Sequence, residues 1–304
     1  MVFLTILLGL LPSFLMVCLG GLIRNRLSAG AWQGLDRLNF EILFPTLIFV
    51  AASSRPIAVA DILHIGPAAW GILLVSLSVG YLARRFGPAR FTDFAGAWQT
   101  AWRFNTALGF VAIETLSGKP VGILAVTVGM AIPMANVFAV TALSRGSGDL
   151  RQTMKKVATN PFLLASSSGV LVGLSGITIP GPVMAPLEML SRAAIPVALI
   201  SVGATMNWGA LARLDRFSGI IVATKLIVTP AATFAACLLF HADPAIAATL
   251  ILFSALPTAS AAHVLAAGFG ADRELSATLV AQTTLLATVT LPVWITLAEL
   301  VFPR

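Results

Sequence analysis

Two short stretches hold side chains that lipid does not tolerate without a reason. The first is RFNTALG, Arg103 to Gly109, which puts a guanidinium, a carboxamide, a hydroxyl and a helix-weakening glycine inside an apolar segment. The second is LPTASAAH, Leu256 to His263, which interrupts another apolar segment far along the chain. Backbone amides cannot stay unpaired in hydrocarbon, so a helix break at that depth survives only where protein or a watery cavity covers it. If both segments unwind there and cross, half-helix N-termini turn their free N–H groups toward a common volume, and those groups favour an anion. Asn105, Thr106, Thr258 and Ser260 add neutral donors, while Gly109 and Pro257 mark the breaks. The chemistry so assembled is recognition of a small carboxylate, not bond-making.

Further polar groups lie at depth in other segments. Asn136, Gln282 and Thr283 are candidates for lining the cavity or for joining helices. Lys225 stands nine positions beyond Arg216, deep in its segment, and is a candidate for attracting the substrate or coupling an ion. Arg103 either faces the cavity or pairs with an acid. His263 is the one histidine inside a span and is the default proton-coupling group. Glu188 and Arg192 are spaced i,i+4 and are expected to form a structural ion pair, and Glu41 is expected at the interface. Each serine, threonine, proline or glycine alone has an ordinary reading, as a helix back-bond or a packing residue. Paired placement far apart in sequence favours the functional reading.

The elements that must position these groups are membrane helices. Of the 304 residues 58% are hydrophobic and only 10% charged, too few charges to cover a soluble domain. Windows of about 17 to 25 apolar residues predict ten spans, near 2–23, 37–53, 67–84, 95–115, 120–143, 160–176, 184–206, 217–240, 245–268 and 275–300. The N-terminal run has no basic residue before Arg24, so it reads as a retained span, not a cleaved signal. The net charge of +7 sits in short loops, which excludes the polar basic face of a nucleic-acid binder. Thirteen basic residues fall in odd-numbered loops, against Arg55, Lys119 and Arg304 on the other side. That asymmetry places the odd loops in the cytoplasm and both termini outside.

The charged connection from Ser144 to residue 159 divides the chain into 1–143 and 160–304, each with five spans. A shift of about 150 residues superposes helix-disturbing positions: Pro12 and Gly20 on Pro161 and Gly169, Pro45 on Pro196, Asn105 on Pro257, and more loosely Pro133 on Pro292. Five being odd, the halves enter the bilayer from opposite sides. The expected fold is therefore an all-α integral membrane protein of ten transmembrane helices in two inverted five-helix repeats, with helices 4 and 9 broken and crossing.

Other chemistries lack their residues. Cys18 and Cys237 lie in apolar segments and make neither a disulfide framework nor a metal set, so no metal or cofactor is expected. There is no nucleotide-binding GxxxxGK[ST] stretch, no HExxH, no serine in a GxSxG setting with a histidine partner, and no aspartate pair at depth. An enzyme is not expected.

Six motifs occur in order: FPTLIF (44–49), NTALGF (105–110), NPFLLASSSGVLVGL (160–174), IPVALISVGATM (195–206), KLIVTP (225–230) and LPTASAAHVLA with its trailing GFGAD (256–272). With them the chain resembles the auxin efflux carrier family of bacterial permeases, which includes malate and malonate carriers. The resemblance spans nearly all ten helices. It implies the fold of the bile acid, arsenite and riboflavin transporter superfamily, with a substrate site at the helix 4/9 crossing and a mobile domain moving like an elevator against a scaffold. Asn105 and Gly109 match the family's fourth-helix motif, Pro257 and Thr258 its ninth, and Lys225 the lysine before a proline in the eighth. Where the family often has an asparagine after the ninth-helix proline, this chain has Ala261. The expectation is a secondary transporter of a mono- or dicarboxylate in a bacterial inner membrane, coupled to protons or to the membrane potential. The alternative is a sensor on the same fold without net transport. Direction, substrate and oligomeric state, a homodimer included, stay open.

Overall fold

The computed structural model describes residues 2–53, 59–144, 158–159, 161–205, 209, 214–259 and 262–303. All described secondary structure is helical. In chain order the helices are α1 (Val2–Ile23), α2 (Ala29–Leu38), α3 (Phe44–Ser53), α4 (Val59–Tyr81), α5 (Phe91–Trp98), α6 (Thr106–Ile113) and α7 (Val121–Leu143). They continue as α8 (Pro161–Ser175), α9 (Gly181–Thr205), α10 (Arg216–Ala223), α11 (Thr229–Leu239), α12 (Pro244–Ala255), α13 (Ala262–Gly268) and α14 (Arg273–Val301). The result is an all-α, multi-pass bundle. Among the described residues five stretches are long and apolar enough to cross a membrane: Ile65–Phe86, Val121–Leu143, Gly181–Ser201, Arg216–Leu239 and Arg273–Val301. The remaining expected spans take other forms. The first is α1, the second is α2 joined to α3, and the fourth and ninth are the half-helix pairs α5/α6 and α12/α13. The sixth corresponds to α8, whose 15 residues fall short of the bilayer's hydrocarbon thickness of about 30 Å at a rise of about 1.5 Å per residue.

Helix starts follow local chemistry. Ser28, Asp215, Asp243 and Asp272 each accept a backbone N–H of the helix that follows them. Asp215 and Ser218 form a reciprocal capping box. Two helices contain a π turn, at Asn39–Leu43 between α2 and α3 and at Thr224–Val228 between α10 and α11. Each begins six residues before a proline, Pro45 and Pro230. Proline has no N–H and its ring crowds the carbonyl four residues back. For Pro230 that carbonyl belongs to Leu226, and the Trp294 indole on α14 donates to it at 2.9 Å. The missing bond is thus replaced from a neighbouring helix.

In lipid, close backbone approach between small residues replaces the hydrophobic drive to associate. α1 runs along α9, and α3 along α8. At the first crossing Gly20 lies on the backbone of Ile200 and Ala204, and Gly203 on that of Val17, with no room for a Cβ at either glycine. At the second, a Cβ on Gly169 would come within 2.9 Å of both Phe49 O and Ala52 Cβ. The rest of the bundle is held by α4 on α7, α11 on α12 and α12 on α14. The expected Glu188–Arg192 pair is present at 3.5 Å, and Glu41 pairs with Arg37 at 2.8 Å with both side chains half or more exposed.

Candidate functional site

α5 ends in one tight turn, Gln99–Ala101, and the amides of Trp102 and Arg103 both donate to the Gln99 carbonyl. The chain then extends through Asn105 and restarts as α6 at Thr106. On the other side α12 stops at Ala255, and Leu256 turns the backbone to an extended conformation. The two interruptions meet. The Asn105 amide donates to the Pro257 carbonyl at 2.8 Å. The Thr258 hydroxyl donates to the Thr100 carbonyl at 2.6 Å, and its amide donates to Thr283 Oγ1 at 3.3 Å. Gln99 Nε2 donates to the Ala262 carbonyl at 3.2 Å. Backbone freed from one helix is therefore satisfied largely by the other, as a dry environment requires.

The residues singled out from sequence are distributed unevenly around this crossing. Asn105 is 4% exposed; its Oδ1 accepts from the Leu108 amide at 3.2 Å and so caps α6, while Nδ2 is buried without a hydrogen-bond partner among the described residues. Thr106 is half-buried in the first turn of α6. Gly109 has a packing reason, since a Cβ there would meet Leu256 Cδ1 at 2.9 Å. Pro257, Thr258 and Thr283 are buried in the stitching itself. Asn136 is half-buried on α7, next to Ala135, whose carbonyl accepts from the Trp102 indole at 3.2 Å. Gln282 is fully buried on α14, and His263 is half-buried at the start of α13. Ser260 lies outside the described residues.

Among the described residues the two deep cations have no counter-charge. Arg103 keeps Nε and Nη1 buried with no hydrogen-bond partner. Lys225 is 2% exposed and sits in the π turn forced by Pro230. That turn packs against the Gln99–Ala101 turn, so Lys225 stands beside the crossing. No described carboxylate pairs with either cation; the ion pairs among these residues are Arg37–Glu41, Arg90–Asp93, Lys119–Glu114 and Arg192–Glu188. No group of three metal-ligating side chains occurs among the described residues.

Sequence reasoning missed Gln99, Thr100, Ser76 and Thr229. Gln99 and Thr100 are fully buried at the crossing, and their only signal was a polar pair between Trp98 and Trp102. Ser76 Oγ and Thr229 Oγ1 lie 2.9 Å apart, buried between α4 and α11 and 153 positions apart in sequence.

Comparison with known proteins agrees with this architecture. A family model described as "Membrane transport protein" matches residues 149–295. A protein of Rhizobium meliloti (strain 1021) described as "Putative malonate transporter" is 27% identical over 299 residues, covering 92% of each chain. A protein of Methanothermobacter thermautotrophicus described as "Uncharacterized transporter" is 25% identical over 269 residues, covering 86% of this chain and 87% of its own. The second half of the chain thus matches the membrane transport protein family, and most of its length is similar to proteins described as transporters.

Proposed function

We propose that the protein is a secondary transporter of a small organic anion, bound at the crossing of the two broken helices. The observation that carries this reading is the set of unpaired donors there. Arg103 and Asn105 hold buried N–H groups without acceptors, Lys225 lies on the adjoining turn, and no carboxylate balances the two cations among the described residues. Burying uncompensated charge in a membrane is costly, and an anionic ligand is the simplest compensation. The description of the Rhizobium relative, "Putative malonate transporter", supports the acid class for this chain.

The transport cycle in this reading is an elevator built on ten spans in two inverted repeats. Four contacts support the repeat. Asn105 bonds to Pro257, 152 positions on, and Ser76 lies against Thr229, 153 positions on. Residues equivalent under a two-fold operation touch each other only near its axis. Away from the axis, Gly20 on Ile200 and Ala204 is matched by Gly169 on Phe49 and Ala52, at offsets of 149, 151 and 152. α1, α3, α8 and α9 form the scaffold, and the helices around the crossing form the moving part. The chain sits in a bacterial inner membrane with both termini outside, and coupling is to protons, with His263 beside the crossing, or to the membrane potential.

Uptake into proteoliposomes tests the proposal. Labelled malonate and monocarboxylates should accumulate when a pH gradient or potential is imposed. Binding without net uptake under any gradient would make the protein a sensor on this fold. Uptake indifferent to both gradient and potential would leave a facilitator.

A further inference from the structure

Gln99 has no role in holding an anion, yet its side chain is fully buried at the crossing. Its Nε2 donates to the Ala262 carbonyl at 3.2 Å. That bond fixes which way the amide faces, because the flipped amide would set one carbonyl oxygen against another. Oε1 is therefore turned away from Ala262, and among the described residues it is buried with no partner. Buried polar atoms are almost always satisfied, so an orphaned acceptor at a ligand crossing calls for a physical reason.

The reason lies one turn away. The Arg103 amide donates to the Gln99 carbonyl, so the two residues lie within one turn of each other at the end of α5. Yet Gln99 Oε1 and Arg103 Nε and Nη1 do not bond to each other; all three are unpaired. This half-helix end thus holds two charged donors and one neutral acceptor. A simple carboxylate satisfies the donors and leaves the acceptor stranded. A carboxylate with a hydroxyl or N–H on the adjacent carbon satisfies both.

We infer that Gln99 is a specificity-determining residue that accepts a hydrogen bond from a donor beside the substrate's carboxylate, selecting α-hydroxy or α-amino acids over their unsubstituted counterparts. The inference rests on the crossing being an acid site. A site built to accept a hydrogen bond rejects the analogue lacking the donor more strongly than an apolar pocket rejects a missing methylene.

The test is competitive binding to the purified full-length protein at neutral pH, where both members of each acid pair are ionised. The pairs are lactate with propionate, and hydroxymalonate with malonate. The hydroxy acid of each pair should bind about tenfold more tightly or better. In Gln99→Met, of similar length without an acceptor, that ratio should fall toward one while the unsubstituted acid keeps its affinity. Equal affinity within each pair in the wild-type protein overturns the inference and leaves the acid site standing, with a buried water then the partner of Oε1. A ratio unchanged in Gln99→Met overturns it too. If neither acid of either pair binds, the acid site itself is wrong and the role of Gln99 falls with it. The wild-type ratio is informative even if the variant does not fold.

Discussion

Asn105 does two jobs with the two ends of one amide, and they can be separated. Oδ1 caps α6 through the Leu108 amide, and Nδ2 is the unpaired donor. Asn105→Asp keeps an acceptor for Leu108 and adds negative charge where the helix N-terminus favours it. It also removes the donor and repels an anion. Stability should therefore be retained while acid binding falls tenfold or more, read by thermal unfolding in detergent beside competitive binding. Asn105→Ala should lose both, with about 1 kcal/mol of stability going with the cap. An Asp variant that binds acids as the wild type does would remove Nδ2 from the site. Asn105 was legible in the sequence because a carboxamide stands out in an apolar span. Its capping role was not, since that depends on where the helix restarts. Gln99 was illegible for a related reason: its meaning comes from Ala262, 163 positions away, and no local pattern records that bond.

The interruptions in the helices are as specific as the side chains. Prolines announced that several helices would be disturbed, but not how. The π turns at Asn39–Leu43 and Thr224–Val228 arise because the chain gains one residue per turn ahead of Pro45 and Pro230. Whether a freed carbonyl is rescued depends on a partner helix, as Trp294 shows for Leu226. Trp294→Phe should cost about 1–3 kcal/mol by stranding that carbonyl. In a Pro230→Ala background the cost should be smaller, because the backbone regains an N–H at that position. A double-mutant cycle on unfolding midpoints reads the difference, and strict additivity would sink the idea. At the ends of α5 and α14, Arg90 binds Asp93 at 2.6 Å and also the Gly270 carbonyl, while Asp93 accepts from the Asp272 amide at 2.8 Å. The hydrogen bond from Arg90 holds the Asp93 carboxyl below its ordinary range, against a smaller opposing effect of burial, and the Asp272 amide adds to the lowering. A lowered carboxyl stabilises the native state above its unfolded pKa, about 3.9, and that contribution disappears as pH falls through the native value. The wild type should thus exceed Asp93→Asn in stability at about pH 6, and the gap should close toward about pH 3. A gap independent of pH would show that the clasp is not an ion pair in solution.

For the whole molecule the central question is which helices move together. The contacts that support an inverted repeat also suggest the division. α1 with α9 and α3 with α8 cross at glycines that admit no side chain, which suits a rigid scaffold. α4 and α11 meet at Ser76 and Thr229 through buried hydroxyls, close to the proposed axis and next to the turn that carries Lys225. If transport is an elevator motion, α4 and α11 belong to the same moving body. Their contact should then persist through the cycle. Cysteines at both positions test this, because hydroxyls 2.9 Å apart place the β-carbons near the reach of a disulfide. The native Cys18, which is exposed, and Cys237, which is buried, are first replaced by serine and alanine respectively. Oxidised Ser76→Cys/Thr229→Cys protein in proteoliposomes should take up acid at a rate close to that of its reduced form. Reductant-reversible arrest would mean that α4 and α11 slide or separate during transport. The moving boundary would then run through the axis of the repeat instead of around it, and the elevator reading would give way to a rocking of one half against the other.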